Sequence, residues 1–244
     1  MKSEIQTIFI TLIILTGFAA TAFAQDANTV LKKMDEVLYA PGDMAGTNTI
    51  ILIDRNGKQE TREAFIKQKG TDKRIMRFTS PASQAGIAVL ALPDDIMYLY
   101  LPAFGKERRI SSSVKNQNFA GTDFSYDDME PIPYSDKYIP KLIKTEGDVI
   151  VLELTPKKHS EYSRIMVNIN KTNFYPEIME YYDKGNTKIK AAKYSFKRLG
   201  NYWNAEEIEM SDQKKNHRTK MKMTNVKYDT GLTDDDFTIR KLKE

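Results

Sequence analysis

Cysteine is missing from this chain altogether, histidine occurs twice and tryptophan once. Without cysteine there can be no disulfide, no thiol nucleophile and no lipid attached through a first mature cysteine. With two histidines, the usual general-base and metal-ligand sets are hard to assemble. His159 stands in the charged turn Lys157-Lys158-His159 and His217 in Lys214-Lys215-Asn216-His217-Arg218, contexts that read as solvated surface. Acidic clusters occur at Asp94-Asp95, Asp127-Asp128 and Asp234-Asp235-Asp236. They lack the alternating ligand spacing of a calcium loop and read as turn and helix-cap chemistry. No glycine-rich phosphate loop connects a strand to a helix. An excess of one charge is lacking too: 37 basic residues face 33 acidic ones, too nearly balanced and interspersed for a nucleic-acid partner. The expectation is a protein that is not an enzyme and holds no metal or cofactor.

Long hydrophobic runs are confined to the start. Lys2 precedes an apolar stretch from Thr7 to Ala20, about fourteen residues against the roughly 20 that span a bilayer, and Ala22-Phe23-Ala24 supplies a small-x-small cleavage site. We read residues 1–24 as a cleavable signal peptide and residues 25–244 as one domain exported to the periplasm. A mature chain of this size buries enough surface to need no disulfide staples. No Pro/Gly/Ser-rich linker divides it.

What is present is a change of period. Val30, Leu31, Met34, Val37 and Leu38 recur at helical spacing behind Asn28, a possible cap, and Pro41-Gly42 ends the pattern. From Met44 the period becomes two. A β-branched run at Thr47 to Ile53 is followed by an Asn56-Gly57 turn and a second run to Lys69, and further runs recur as far as Arg218 to Tyr228 with turn residues between. Helices between strands are absent, so the sheet is antiparallel. This predicts a mainly β (α+β) fold, a curved and partly open antiparallel β-barrel of about ten or eleven strands. Between Pro102 and Pro140 the period is lost, which suggests a long functional loop.

Flexible apolar side chains stand at alternating positions: Met97, Leu99 and Leu101 on one strand face, Met221 and Met223 on another, with Met166, Met179 and Met210 besides. Methionine fills irregular space, so such faces suit an adaptable pocket as well as an ordinary core.

Three blocks carry a family resemblance. Arg74-Ile75-Met76-Arg77-Phe78-Thr79-Ser80-Pro81 with Gly86 to Leu90, then Met97-Tyr98-Leu99-Tyr100-Leu101-Pro102-Ala103-Phe104-Gly105-Lys106-Glu107-Arg108-Arg109-Ile110, then Phe119-Ala120-Gly121-Thr122-Asp123-Phe124-Ser125-Tyr126-Asp127-Asp128-Met129 resemble the LolA-like outer-membrane lipoprotein-sorting family. The resemblance is to its broad branch, since the dedicated lipoprotein carrier is shorter and lacks the "GTDF" block. It implies a half-open barrel with helices packed on its concave face around an acyl-chain cavity. On that basis the expected function is a monomeric periplasmic carrier of acylated lipoprotein or lipid, moving between an inner-membrane transporter and an outer-membrane acceptor. The alternative is an accessory protein of an inner-membrane, RND-type lipid exporter. The candidate cavity residues are Leu90, Met97, Leu99, Leu101, Phe119, Phe124, Met166, Met179, Met210, Met221 and Met223. Arg108 and Arg109 are candidates for headgroup or partner docking, and the Pro102 to Pro140 region is the expected gate.

Overall fold

The computed structural model describes residues 26–244, so the signal-peptide expectation lies outside the described residues. Helix α1 (Ala27–Leu38) forms where the helical period stood, but its cap is Asp26, whose carboxylate accepts from the Thr29 amide at 3.1 Å, not Asn28. Val30, Leu31 and Met34 form its buried stripe.

Among the described residues thirteen strands follow in a single antiparallel sheet. They are β1 (Asp43–Ile53), β2 (Gln59–Lys69), β3 (Lys73–Ser80), β4 (Ala88–Leu92), β5 (Ile96–Leu101), β6 (Lys106–Arg109), β7 (Tyr138–Glu146), β8 (Val149–Pro156), β9 (Arg164–Asn170), β10 (Pro176–Tyr182), β11 (Lys188–Leu199), β12 (Tyr202–Asp212) and β13 (His217–Tyr228). The expectation of ten or eleven strands is corrected by this count. The strand hidden in the region read as loop is β6, whose Lys-Glu-Arg-Arg sequence has no apolar alternation because it forms an edge with little to bury. Its order is β6-β5-β4-β3-β2-β1-β13-β12-β11-β10-β9-β8-β7. Two meanders, each of strands adjacent in sequence, are thus joined at one non-sequential pair, β1 with β13.

Thirteen strands laid flat would run roughly 60 Å across. Instead, one apolar cluster gathers Met76 and Val89 from the first meander, Leu152, Val167 and Met179 from the second, and Val30, Leu31 and Met34 from α1. Only a curved sheet brings these onto one inner face. The helices are not all on that face. Short α2 (Tyr134–Lys137) lies beside α1, whereas α3 (Ile239–Lys243) places Leu242, with Phe237, over Ile75, Ala88 and Leu90 on the opposite side. The acidic cluster Asp234-Asp235-Asp236 belongs to a capping box: Asp236 accepts from the Thr233 amide at 3.0 Å.

The turn between β3 and β4 depends on Gly86. Its φ is +84°, and a Cβ there would meet Cγ of Pro102 at 2.8 Å. Gly86→Ala is therefore expected to cost about 2 kcal/mol, read as a lower urea midpoint at unchanged slope.

Candidate functional site

Between α1, the inner face of the sheet and the segment 110–137 lies a cavity of about 250 Å³. Cross-strand register explains its lining. Tyr194, Ile208, Met221 and Ile50 are successive partners across β11, β12, β13 and β1, so they stand in one row on the inner face. The first three of these residues reach the cavity together with Met210, Met223 and Trp203. From the other meander come Ile66, Met76, Gln68 and Arg74, and from α1 and its exit Leu38, Tyr39 and Pro41.

The segment joining β6 to β7 closes the cavity from above. Phe119 is fully buried and stacks on Phe78 at 5.6 Å, with Tyr126 edge-on at 5.5 Å. Gly121 takes a φ of +79° beside Ala120 at +47°, and the Ala120 carbonyl accepts from Arg62. Asp123, 1 % exposed, accepts from the Thr219 hydroxyl at 2.7 Å and lies 2.7 Å from Nδ1 of His217. His217 is therefore no free surface side chain: it ties the segment to β13. Lys115 is buried against Asp95 and Glu130, and Asp127 pairs with Lys137 at 2.8 Å. Asp35 of α1 accepts from the amides of Tyr134 and Ser135, both at 2.8 Å. Arg108 pairs with neither Asp123 nor Asp127, whose partners are His217 and Lys137.

Phe124, Met210, Met221 and Met223 line the cavity. Met179 is fully buried just behind it, where the Tyr194 and Tyr181 hydroxyls contact its sulfur at 3.5 and 3.7 Å. Met97 and Phe119 are fully buried in the inner-face core, with Leu99 packed against it, and Leu101 is half-buried at the end of β5. Leu90 stands on the opposite face beneath Phe237 and Leu242. Met166 is flanked across the sheet by Glu153 and Glu180, out of phase with the buried Ile165, Val167 and Ile169. Arg108 lies opposite Leu99 and Arg109 opposite Tyr98, so the two arginines occupy opposite faces of the exposed edge strand β6. Arg108 stacks 5.1 Å over Phe104, which is 60 % exposed.

Sequence reasoning passed over the polar half of the lining: Tyr39, Arg74, Asp127, Asp128, Tyr134, Tyr138, Tyr181 and Tyr194. Burial pushes the phenols of Tyr134, Tyr138 and Tyr181 up, and that of Tyr194 up to about 12, so all remain neutral donors. Burial also raises the Asp128 carboxyl, although the Ser125 amide and hydroxyl donate to it at 2.7 and 2.8 Å. A raised folded-state pKa contributes stability that is full below the unfolded value and is lost as pH rises through the folded one. Asp128→Asn, whose amide imitates the protonated acid, is accordingly expected to gain stability relative to the parent between pH 4 and 7. Thermal melts across that range would refute this by showing a constant or shrinking difference.

Among the described residues no helix is long and apolar enough to cross a membrane, and no group of three or more His, Asp or Glu is placed to hold a metal ion.

A family model described as an uncharacterized protein matches residues 70–244. No curated protein matches the chain. Among solved structures, one described as an outer membrane lipoprotein-sorting protein domain, from Vibrio parahaemolyticus, is 28 % identical with a TM-score of 0.82. The match covers 90 % of this chain and 100 % of that one. A DUF1329 family protein from Desulfovibrio piger is 27 % identical with a TM-score of 0.83, over 88 % of this chain and 97 % of its own. A LolA superfamily protein from Nitrosomonas europaea, 23 % identical over 88 % of this chain and 98 % of its own, shares the fold at a TM-score of 0.76.

Proposed function

Because this chain belongs to the LolA-like outer-membrane lipoprotein-sorting family, we propose that it is a periplasmic carrier that shelters the acyl chains of lipoprotein or lipid on their way toward the outer membrane. The observation that carries this reading is the cavity itself: methionine, isoleucine and aromatic side chains line a partly open space beneath α1 and the segment 110–137. Burying a methylene stabilises by about 0.8 kcal/mol, so a sixteen-carbon chain resists crossing water by on the order of 12 kcal/mol and needs such a space in transit. At about 250 Å³ the space lies just below the roughly 300–1,000 Å³ of sites that enclose drug-sized ligands. Loading a full chain then requires the covering segment to lift, which makes residues 110–137 the gate. Handover follows a difference in affinity between carrier and membrane acceptor, or is driven by an energised membrane partner.

A second reading has its own observation. Phe104, Arg108 and Arg109 stand exposed around the β6 edge, a surface suited to protein contacts with an inner-membrane, RND-type exporter. Native mass spectrometry of the protein purified gently from the periplasm, followed by lipid extraction, separates the two. Bound phospholipid or acylated peptide supports the carrier; a clean unliganded mass that added lipid does not shift overturns it and favours the accessory role.

A further inference from the structure

Among the described residues two cations line the cavity, Lys137 and Arg74. Lys137 is paired with Asp127 at 2.8 Å. Arg74 has no carboxylate. Its Nε and one terminal nitrogen donate to the Gln68 side-chain oxygen at 3.0 and 2.5 Å, and the other terminal nitrogen donates to the Met129 carbonyl at 3.0 Å. Both acceptors are neutral, and two of the five guanidinium N–H donors remain unspent.

The carboxylates that share the lining are all engaged elsewhere. Asp43 accepts from Thr230, Gly231 and Leu232, Asp128 from Ser125, and Glu130 from Lys115. Arg74 is half-buried, and desolvation lowers its pKa, with only the phenols of Tyr39 and Tyr134 acting in the opposite direction. An arginine stays charged in such a setting, so this is a half-buried cation at the cavity wall without a counter-charge, a position that an anionic ligand would complete.

Its position along the sheet fits an amphiphile. Arg74, Gln68, Met44 and Tyr228 are successive partners across β3, β2, β1 and β13 and form one row. The row of Ile50, Met221 and Ile208 lies six residues further along β1, roughly 20 Å away. A row headed by the Arg74 cation thus stands at one end of the inner face and an apolar row at the other.

We propose that Arg74 binds the anionic group, a carboxylate or phosphate, of an acyl ligand whose tail runs toward Ile208 and Met221. This deepens the carrier reading and rests on it for the tail, but not for the anion. The two unspent donors of the planar fork match two oxygens of one carboxylate or phosphate, which a point-like lysine ammonium does not.

The test measures binding of hexadecanoate, hexadecanol and inorganic phosphate to the mature protein at pH 8, by calorimetry, for the parent and for Arg74→Gln and Arg74→Lys. The expected result is hexadecanoate bound at least tenfold more tightly than hexadecanol by the parent, with the preference lost in Arg74→Gln and partly kept in Arg74→Lys. Hexadecanol affinity should be the same in all three, which also certifies that the variants retain the cavity. Equal affinities for acid and alcohol in the parent would overturn the anion site and leave the carrier standing. Arg74-dependent phosphate binding without any lipid binding would keep the anion site as one for a free anion and overturn the carrier. Binding of none of the three would overturn both.

Discussion

Replacing Ile208 with Asp is expected to weaken the binding of a long-chain acyl ligand by about a hundredfold while leaving the protein folded. Ile208 is half-buried and lines the cavity, between Tyr194 on β11 and Met221 on β13. A carboxylate there remains hydrated in the unloaded protein, so the fold loses little. A loaded acyl chain must either desolvate that charge or withdraw three to four methylenes from contact. At about 0.8 kcal/mol per methylene, withdrawal costs roughly 3 kcal/mol, and each 1.4 kcal/mol is tenfold in affinity. Fluorescent fatty-acid titration measures the affinity and a thermal melt controls for the fold. An affinity within threefold of the parent, at an unchanged melting temperature, would mean that acyl chains do not run along this row.

Asp43→Ala, the second large effect, acts on stability. Asp43 sits where β1 begins and is 7 % exposed. Its carboxylate accepts from the Thr230 amide and hydroxyl, both at 2.7 Å, from the Gly231 amide at 2.8 Å and from the Leu232 amide at 3.0 Å. These bonds fix the turn from which the C-terminal segment departs to lay Phe237 and Leu242 over Ile75 and Leu90. Removing the carboxylate strands several amide donors and loosens that cover, for an expected loss of about 3 kcal/mol at pH 7. In a chain of this size that is roughly 6–12 °C in Tm. Burial alone would raise the Asp43 carboxyl, but the donors from Thr230, Leu232 and Gly231 outweigh it and hold the pKa below its ordinary value. A depressed folded-state pKa gives stability that is present above the unfolded value, about 3.9, and is lost as pH falls through the folded one. The gap between parent and variant should therefore narrow toward pH 3, and urea melts at both pH values would expose a gap that stays constant.

Much of the architecture is written in period and turn residues. The stripe Val30, Leu31 and Met34 announces α1, and Gly86, Asn56-Gly57 and Asp94-Asp95 punctuate the meanders. Which face of each strand looks inward is written less evenly. On β9 the asparagines Asn168 and Asn170 share a face with Met166, so parity, weighed above residue type, already sets that methionine outside the core. On β4 no such signal exists: Ala88, Val89, Leu90 and Ala91 are all buried, because α1 and its neighbours cover one face and the α3 segment the other. A strand covered on both sides is apolar throughout, and its orientation is decided by elements far away in the chain.

The polar half of the cavity was hidden for a different reason. Arg74 reads in sequence as an ordinary alternating residue of β3, and Tyr134 and Tyr138 lie where the period is lost. Their common location arises only when the segment 110–137 folds back across both meanders, through contacts such as Phe119 on Phe78 and Asp123 on Thr219. Edge strand β6 escaped notice because an edge has no second neighbour to demand apolar side chains.

The single β1–β13 pairing has a consequence for how the molecule assembles. Every other strand pair joins sequence neighbours, so each meander can zip up locally as it emerges, with short loops to close. The seam from Met44 with Tyr228 to Ile53 with Arg218 unites opposite ends of the chain and must wait for the last strand. Until it closes, β1 and β13 are two unpaired edges carrying the very side chains that later line the cavity. The closing of that seam is thus the step expected to be slow and aggregation-exposed, and an acyl chain bound as proposed would touch residues on both sides of it and act as a clasp that holds the halves together.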